Sequence, residues 1–161
     1  MPLSQRNARD AKPSDSDDQA WITLVPTKGA AVRFRGTRVA EATSYSASLP
    51  LWHVITLYRR RASASDGYIV SIRTHQKSVD AKDMSRVCKA STIEAVMDLL
   101  ETYKPEDDLP SGLSAAEHKR LGPVHAALHT AKMRSDVSQV RRHYHAMIGD
   151  FLFRIGSLGL S

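Results

Sequence analysis

Two β-forming runs constrain the fold more than any other feature of this chain. Residues 52–60 read WHVITLYRR and residues 68–74 read YIVSIRT, both rich in β-branched and aromatic side chains. The seven residues RASASDG separate them, and their Asp66-Gly67 pair is a strong turn signal. The two runs predict an antiparallel hairpin with a long tip and Arg61 at its base.

The same period continues upstream. Residues 21–25 (WITLV) are a short run of β-formers, and Pro26 to Gly29 supply a break. Residues 31–35 alternate, with Val32 and Phe34 on one side and Arg33 and Arg35 on the other. Gly36 and Thr37 are expected to turn the chain into a further strand over 39–45. Downstream of the hairpin a linker is expected up to Ser91. Residues 91–103 then carry Ile93, Val96, Met97, Leu100 and Tyr103 at helical spacing, with Ser91 and Glu94 fitting a capping box.

The segment 105–112 (PEDDLPSG) reads as an acidic linker with two prolines. Ser114 and Glu117 fit a second capping box. The helix they open meets Gly122-Pro123, which should break or kink it, and resumes through Val124, Leu128 and Ala131. A final helix is expected from about Ser135-Asp136, with a stripe of Val137, Val140, Tyr144, Met147, Ile148, Phe151 and Ile155. The fold class that follows is α+β: an antiparallel sheet of three to five strands, one packed helix, and a C-terminal helical pair. The expected organisation is a disordered tail over 1–19, a sheet-and-helix domain over 20–104, a linker over 105–112 and a helical extension over 113–161.

A hydrophobic fraction of 42% supports a real core, and with aromatics at 6% that core must be mostly aliphatic. The one cysteine, Cys88, cannot form an internal disulfide, which fits a reducing compartment. No apolar run approaches the roughly 18 residues that span a bilayer, and the first residues lack a secretion signal. A cytoplasmic protein that avoids membranes is the expectation.

Charge is unevenly placed. Residues 21–80 hold nine basic residues against three acidic ones, which is the whole of the chain's +6 surplus. An imbalance confined to one structural unit suggests an anionic partner. Arginine suits phosphates because its planar fork makes paired, charge-assisted hydrogen bonds. Candidate nucleic-acid contacts are therefore Arg33, Arg35, Arg38, Arg59, Arg60, Arg61 and Arg73, with Trp52, Tyr58 and Tyr68 placed to stack on exposed bases. The competing readings are a solvated face whose arginines deter edge pairing, and a surface for an acidic protein. DNA or RNA is the leading partner.

Five of the seven histidines follow residue 117: His118, His125, His129, His143 and His145. His125 and His129 have a spacing that can chelate zinc, which would admit a metal-dependent enzyme. Gly122-Pro123 interrupts the path to His118, and no carboxylate sits beside the pair, so neither metal nor cofactor is expected. Nothing in the sequence identifies a base for a Cys88 nucleophile, and a buried structural thiol is expected. Ser63 in RRAS resembles a basophilic kinase site. Nucleotide-binding glycine loops, a GxSxG elbow and CxxC pairs are absent. The broad apolar stripe of the last helix suggests a contact surface for a protein partner or a second copy, through Val140, Tyr144, Ile148 and Phe151. An adaptor or inhibitor acting through these helices is the alternative to nucleic-acid binding.

Residues 34–74 resemble small uncharacterised bacterial proteins often carried on mobile elements. The match is in the order FRG, VAEATS, a Trp followed by ITLYR, a turn, and GYIV. It departs from their pattern in the long RASASDG loop. The resemblance implies a bacterial, plasmid or phage origin and brings no activity with it.

Overall fold

The computed structural model describes residues 20–61 and 67–159. The expected tail over 1–19 and the hairpin-tip residues Ser63 and Asp66 lie outside that range. The fold is α+β. Five antiparallel strands form one curled sheet in chain order: β1 (Trp21–Leu24), β2 (Val32–Thr43), β3 (Leu51–Arg61), β4 (Gly67–Gln76) and β5 (Met84–Ala90). Helix α1 (Ile93–Thr102), a 3-10 turn (Pro105–Asp108) and the long helix α2 (Ala115–Ser157) follow.

The β3–β4 hairpin forms where its two runs predict, in continuous register from Leu51↔Gln76 to Arg60↔Gly67. Upstream the outcome differs. Gly36 and Thr37 do not turn the chain, and β2 runs straight through them. Gly36 pairs with Arg60, and a Cβ at Gly36 would overlap the Arg59 carbonyl oxygen. The missing side chain therefore allows two backbones to approach closely. The register slips instead between Arg38 and Ala40, a bulge of the kind that bends a strand and tightens sheet twist. Strand β5 occupies part of the segment expected to be a linker. Its sequence MSRVCKA has weak β preference, so pairing with β4 from Tyr68↔Ala90 to Thr74↔Met84 decides its conformation.

The curl brings the two ends of the sheet together. The turn after β1 reaches β5, where the Thr27 N–H donates to the Ser85 carbonyl at 2.8 Å and the Ser85 N–H donates to Thr27 Oγ1 at 2.7 Å.

The helices cover one face of β3 and β4. Helix α1 is capped by Thr92, whose Oγ1 accepts from the Ala95 N–H at 3.2 Å, so the cap is one residue beyond the expected Ser91. The Ser114–Glu117 capping box is present. Gly122 is the break in α2, with φ 75° and ψ 165°. Pro123 then opens the second limb, where its missing N–H costs no hydrogen bond. That limb is continuous to Ser157, so no new helix starts at Ser135-Asp136. The Lys132–Asp136 ion pair and the Gln139–Ser135 hydrogen bond (3.1 Å) engage these polar side chains on the helix surface.

The main core joins Ile55, Leu57, Val70 and Ile72 of the sheet to Val96 and Leu100 of α1 and to Tyr144, Met147, Ile148, Phe151 and Ile155 of α2. Val140 closes a smaller cluster with Leu49 and Leu51. This corrects the expected partner surface. Val140, Tyr144, Ile148 and Phe151 are at most 4% exposed, because the sheet side chains, Leu49 and helix α1 cover the stripe. Among the described residues, no helix is long and apolar enough to cross a membrane.

Candidate nucleic-acid interface

Strand pairing gathers the sequence-distant arginines. Trp21↔Arg35 and Arg35↔Arg61 place the start of β1, the start of β2 and the end of β3 side by side. A pocket of about 280 Å³ opens at this end of the sheet, lined by Trp21, Val32, Arg33, Phe34, Arg35, Arg60, Arg61 and Lys89. Five of these eight side chains are cationic and none is acidic. Arg33 and Arg35 lie over the Trp21 ring at 4.6 and 5.1 Å from its centroid. Such contacts hold a guanidinium in place without neutralising it. Phe34, also a wall, is buried and meets Tyr58 edge-on, with ring centroids 5.6 Å apart.

Four of the candidate contacts, Arg33, Arg35, Arg60 and Arg61, are thus brought together. The others are not among the pocket walls. Arg38 is exposed and paired with Glu41 at 3.4 Å. Arg59 faces Thr37 across one strand boundary and Tyr68 across the other. Arg73 pairs across strands with Val54 and Ser85. Trp52 is half-buried, stacked on His75 with centroids 5.4 Å apart and met edge-on by Tyr45. Tyr68 packs against the main core and Tyr58 against Phe34, so neither offers a free ring face of the kind the sequence suggested. Trp21 and Lys89 complete the pocket and were missed. Trp21 reads in sequence only as a strand start, and Lys89 lies on the strand whose pattern is weakest.

The sheet is fixed from behind by a buried polar centre, also unforeseen. Asp108, in the 3-10 turn, has no side-chain exposure. It accepts from His53 Nε2 at 3.0 Å, Thr74 Oγ1 at 2.7 Å, the Arg86 guanidinium at 2.7 Å and the Tyr103 hydroxyl. Burial pushes its carboxyl up, but the hydrogen bonds from His53, Tyr103 and Thr74 and the charge of Arg86 outweigh it, and the pKa falls to about 2. A carboxylate only accepts, so the facing His53 Nε2 carries a proton. His53 Nδ1 is buried with no hydrogen-bond partner. The segment expected to be a linker over 105–112 is in this way tied to β3, β4 and β5 at Asp108.

The histidines do not assemble. His118 and His129 line one cavity with Leu113 and Met133, and His125 is not among its walls. His143 is half-buried, and His145 meets the Tyr144 ring edge-on at 5.8 Å. Among the described residues, no three of His, Cys, Asp and Glu are placed to hold a metal ion. Cys88 is half-buried, and burial pushes its thiol up against the pull of Arg86, away from thiolate chemistry.

No protein-family model, no curated protein and no solved structure significantly matches this chain.

Proposed function

We propose that this is a binding protein that contacts nucleic-acid phosphates at the basic end of its curled sheet. The observation that carries this reading is the pocket of Arg33, Arg35, Arg60, Arg61 and Lys89, with no acidic wall among the described residues. Cations gathered at one site repel one another, and an anion relieves that repulsion. Four of the five are arginines, whose forked donors fit phosphate oxygens in pairs. The expected partner-facing stripe of α2 is consumed by the core, which favours this reading over an adaptor acting through those side chains.

The test is fluorescence anisotropy with single-stranded and duplex DNA and RNA across a salt series. Binding should weaken steeply with salt, with a log–log slope of about −0.9 for each duplex phosphate neutralised and about −0.7 on a single strand. Absence of binding to all four nucleic acids at low salt refutes the proposal. Salt-sensitive capture of an acidic protein in their place would make the same pocket a protein docking site.

A further inference from the structure

Three arginines share one face at the end of the sheet. Trp21 is opposite Arg35 and Arg35 is opposite Arg61, and facing residues of an antiparallel pair point to the same side. Arg33 stands two positions from Arg35 on β2, so it joins them there. All three arginines are exposed, and among the described residues none of them makes an ion pair. Like charges directly across a strand boundary weaken the pairing, and an anion beside Arg35 and Arg61 removes that cost. The chain carries such an anion close by. Residues 14–18 read SDSDD, Asp18 stands three positions before Trp21, and no basic residue lies between Pro13 and Trp21.

We infer that the acidic segment 14–18 docks on the face of Trp21, Arg33, Arg35 and Arg61 and competes there with nucleic acid. The inference rests on the phosphate-binding reading above and adds a built-in competitor for the same cations. A chain spans at most about 3.6 Å per residue, which keeps Asp18 within about 11 Å of the Trp21 Cα and Asp15 within about 22 Å. Arg33 and Arg35 lie 4.6 and 5.1 Å from the centroid of the Trp21 ring. The nearest carboxylate is therefore tethered at about the distance over which charges still act on one another in physiological salt, roughly 8–10 Å. Carboxylates meet arginine in the same forked, charge-assisted geometry as phosphate oxygens, so one face serves both. A ligand on a tether of a few residues sits at about millimolar effective concentration. The basic residues Arg6, Arg9 and Lys12 lie farther along the chain from Trp21, beyond the three aspartates. Three carboxylates set against a strand of many phosphates make a weak competitor, which lowers affinity without abolishing it.

The experiment measures, on the full chain, anisotropy of a labelled single strand of about 12 nucleotides and its displacement by heparin. Asp17→Asn/Asp18→Asn removes two charges from the segment. Asp80→Asn/Asp107→Asn removes two exposed charges toward the opposite end of the sheet, past the Leu51↔Gln76 pair and beside Asp108, and controls for net charge. Thermal unfolding of each variant checks that the fold is kept. The segment variant should bind the strand about two- to thirtyfold more tightly than the control, the range that two exposed ion pairs are worth. Without nucleic acid, the side-chain N–H NMR signals of Arg33, Arg35 and Arg61 should shift in the segment variant and stay in place in the control. Binding by the segment variant alone would support both readings. Either equal affinity in the two variants or unmoved arginine signals overturns the inference while leaving phosphate binding intact. Arginine shifts that grow with protein concentration overturn it too, by assigning the face to the segment of a second copy. Failure of all three proteins to bind either polyanion overturns the phosphate reading and the competition with it.

Discussion

His53 Nε2 lies 3.0 Å from Asp108 Oδ2, although 55 residues separate them and neither side chain is exposed. This contact ties the middle of the sheet to the turn between the helices. Asp108 also collects Thr74, Tyr103 and Arg86, from β4, the end of α1 and β5. One carboxylate thus locks three strands to the helical layer.

Asp108→Ala should be among the most destabilising single changes in the chain. It leaves the His53, Thr74 and Tyr103 donors buried and unpaired, and Arg86 without its counter-charge. The expected loss is about 3–5 kcal/mol, as for breaking a buried ion pair from one side. Urea denaturation followed by far-UV circular dichroism measures it. A loss under about 1 kcal/mol, within the range of ordinary surface changes, would show that the centre contributes little.

Acid sensitivity should follow from the same group. The Asp108 pKa is lowered from 3.8 to about 2. A depressed carboxyl stabilises the fold above its unfolded pKa, and that stabilisation is lost as pH falls through the folded value. The term should be fully present above about pH 5, decline between about pH 4 and 2, and amount to about 2 kcal/mol. Wild-type stability measured across this window should fall more steeply than that of Asp108→Asn. Parallel curves would assign the acid limb to other groups.

Gly36→Ala should damage both the fold and the pocket. The added methyl overlaps the Arg59 carbonyl oxygen, so β2 and β3 must separate next to Arg35, Arg60 and Arg61. The expected cost is about 1–3 kcal/mol, as for overpacking elsewhere, together with weaker nucleic-acid binding. Calorimetry and anisotropy on the same preparation test it, and an unchanged melting temperature would contradict it.

The arginines should not be equivalent. Removing Arg33, Arg60 or Arg61, which line the pocket, should reduce the salt slope by up to about 0.9 for each duplex phosphate no longer neutralised. Arg38→Ala should leave the slope near the wild-type value, because Arg38 lies outside the pocket and pairs with Glu41. Equal effects at Arg38 and Arg60 would point to a diffuse basic surface.

Phe151→Ala separates a core role from an interface role. Phe151 is fully buried among sheet and helix side chains. Its truncation should cost about 3–5 kcal/mol, with a melting temperature that does not vary with protein concentration. A change in oligomeric state at unchanged stability would restore the stripe as a contact surface.

The sequence by itself determined the elements whose patterns are local. The β3–β4 hairpin, the amphipathic stripes of α1 and of the last limb of α2, the Ser114–Glu117 cap and the Gly122-Pro123 break follow from neighbouring residues. Backbone preference, capping and side-chain period act over a few positions and leave their mark there. What only the tertiary structure decided depends on which distant surfaces meet. Gly36 allows close strand approach because β3 lies beside it, and β5 is a strand because β4 pairs with it. The stripe through Val140 and Phe151 looked free for a partner, since its period records that it is apolar and not what covers it. Trp21 and Lys89 joined the arginines, and Asp108 joined His53, only when the curled sheet and the turn brought them together. Contacts made across dozens of residues have no period, and one sequence carries no register for them.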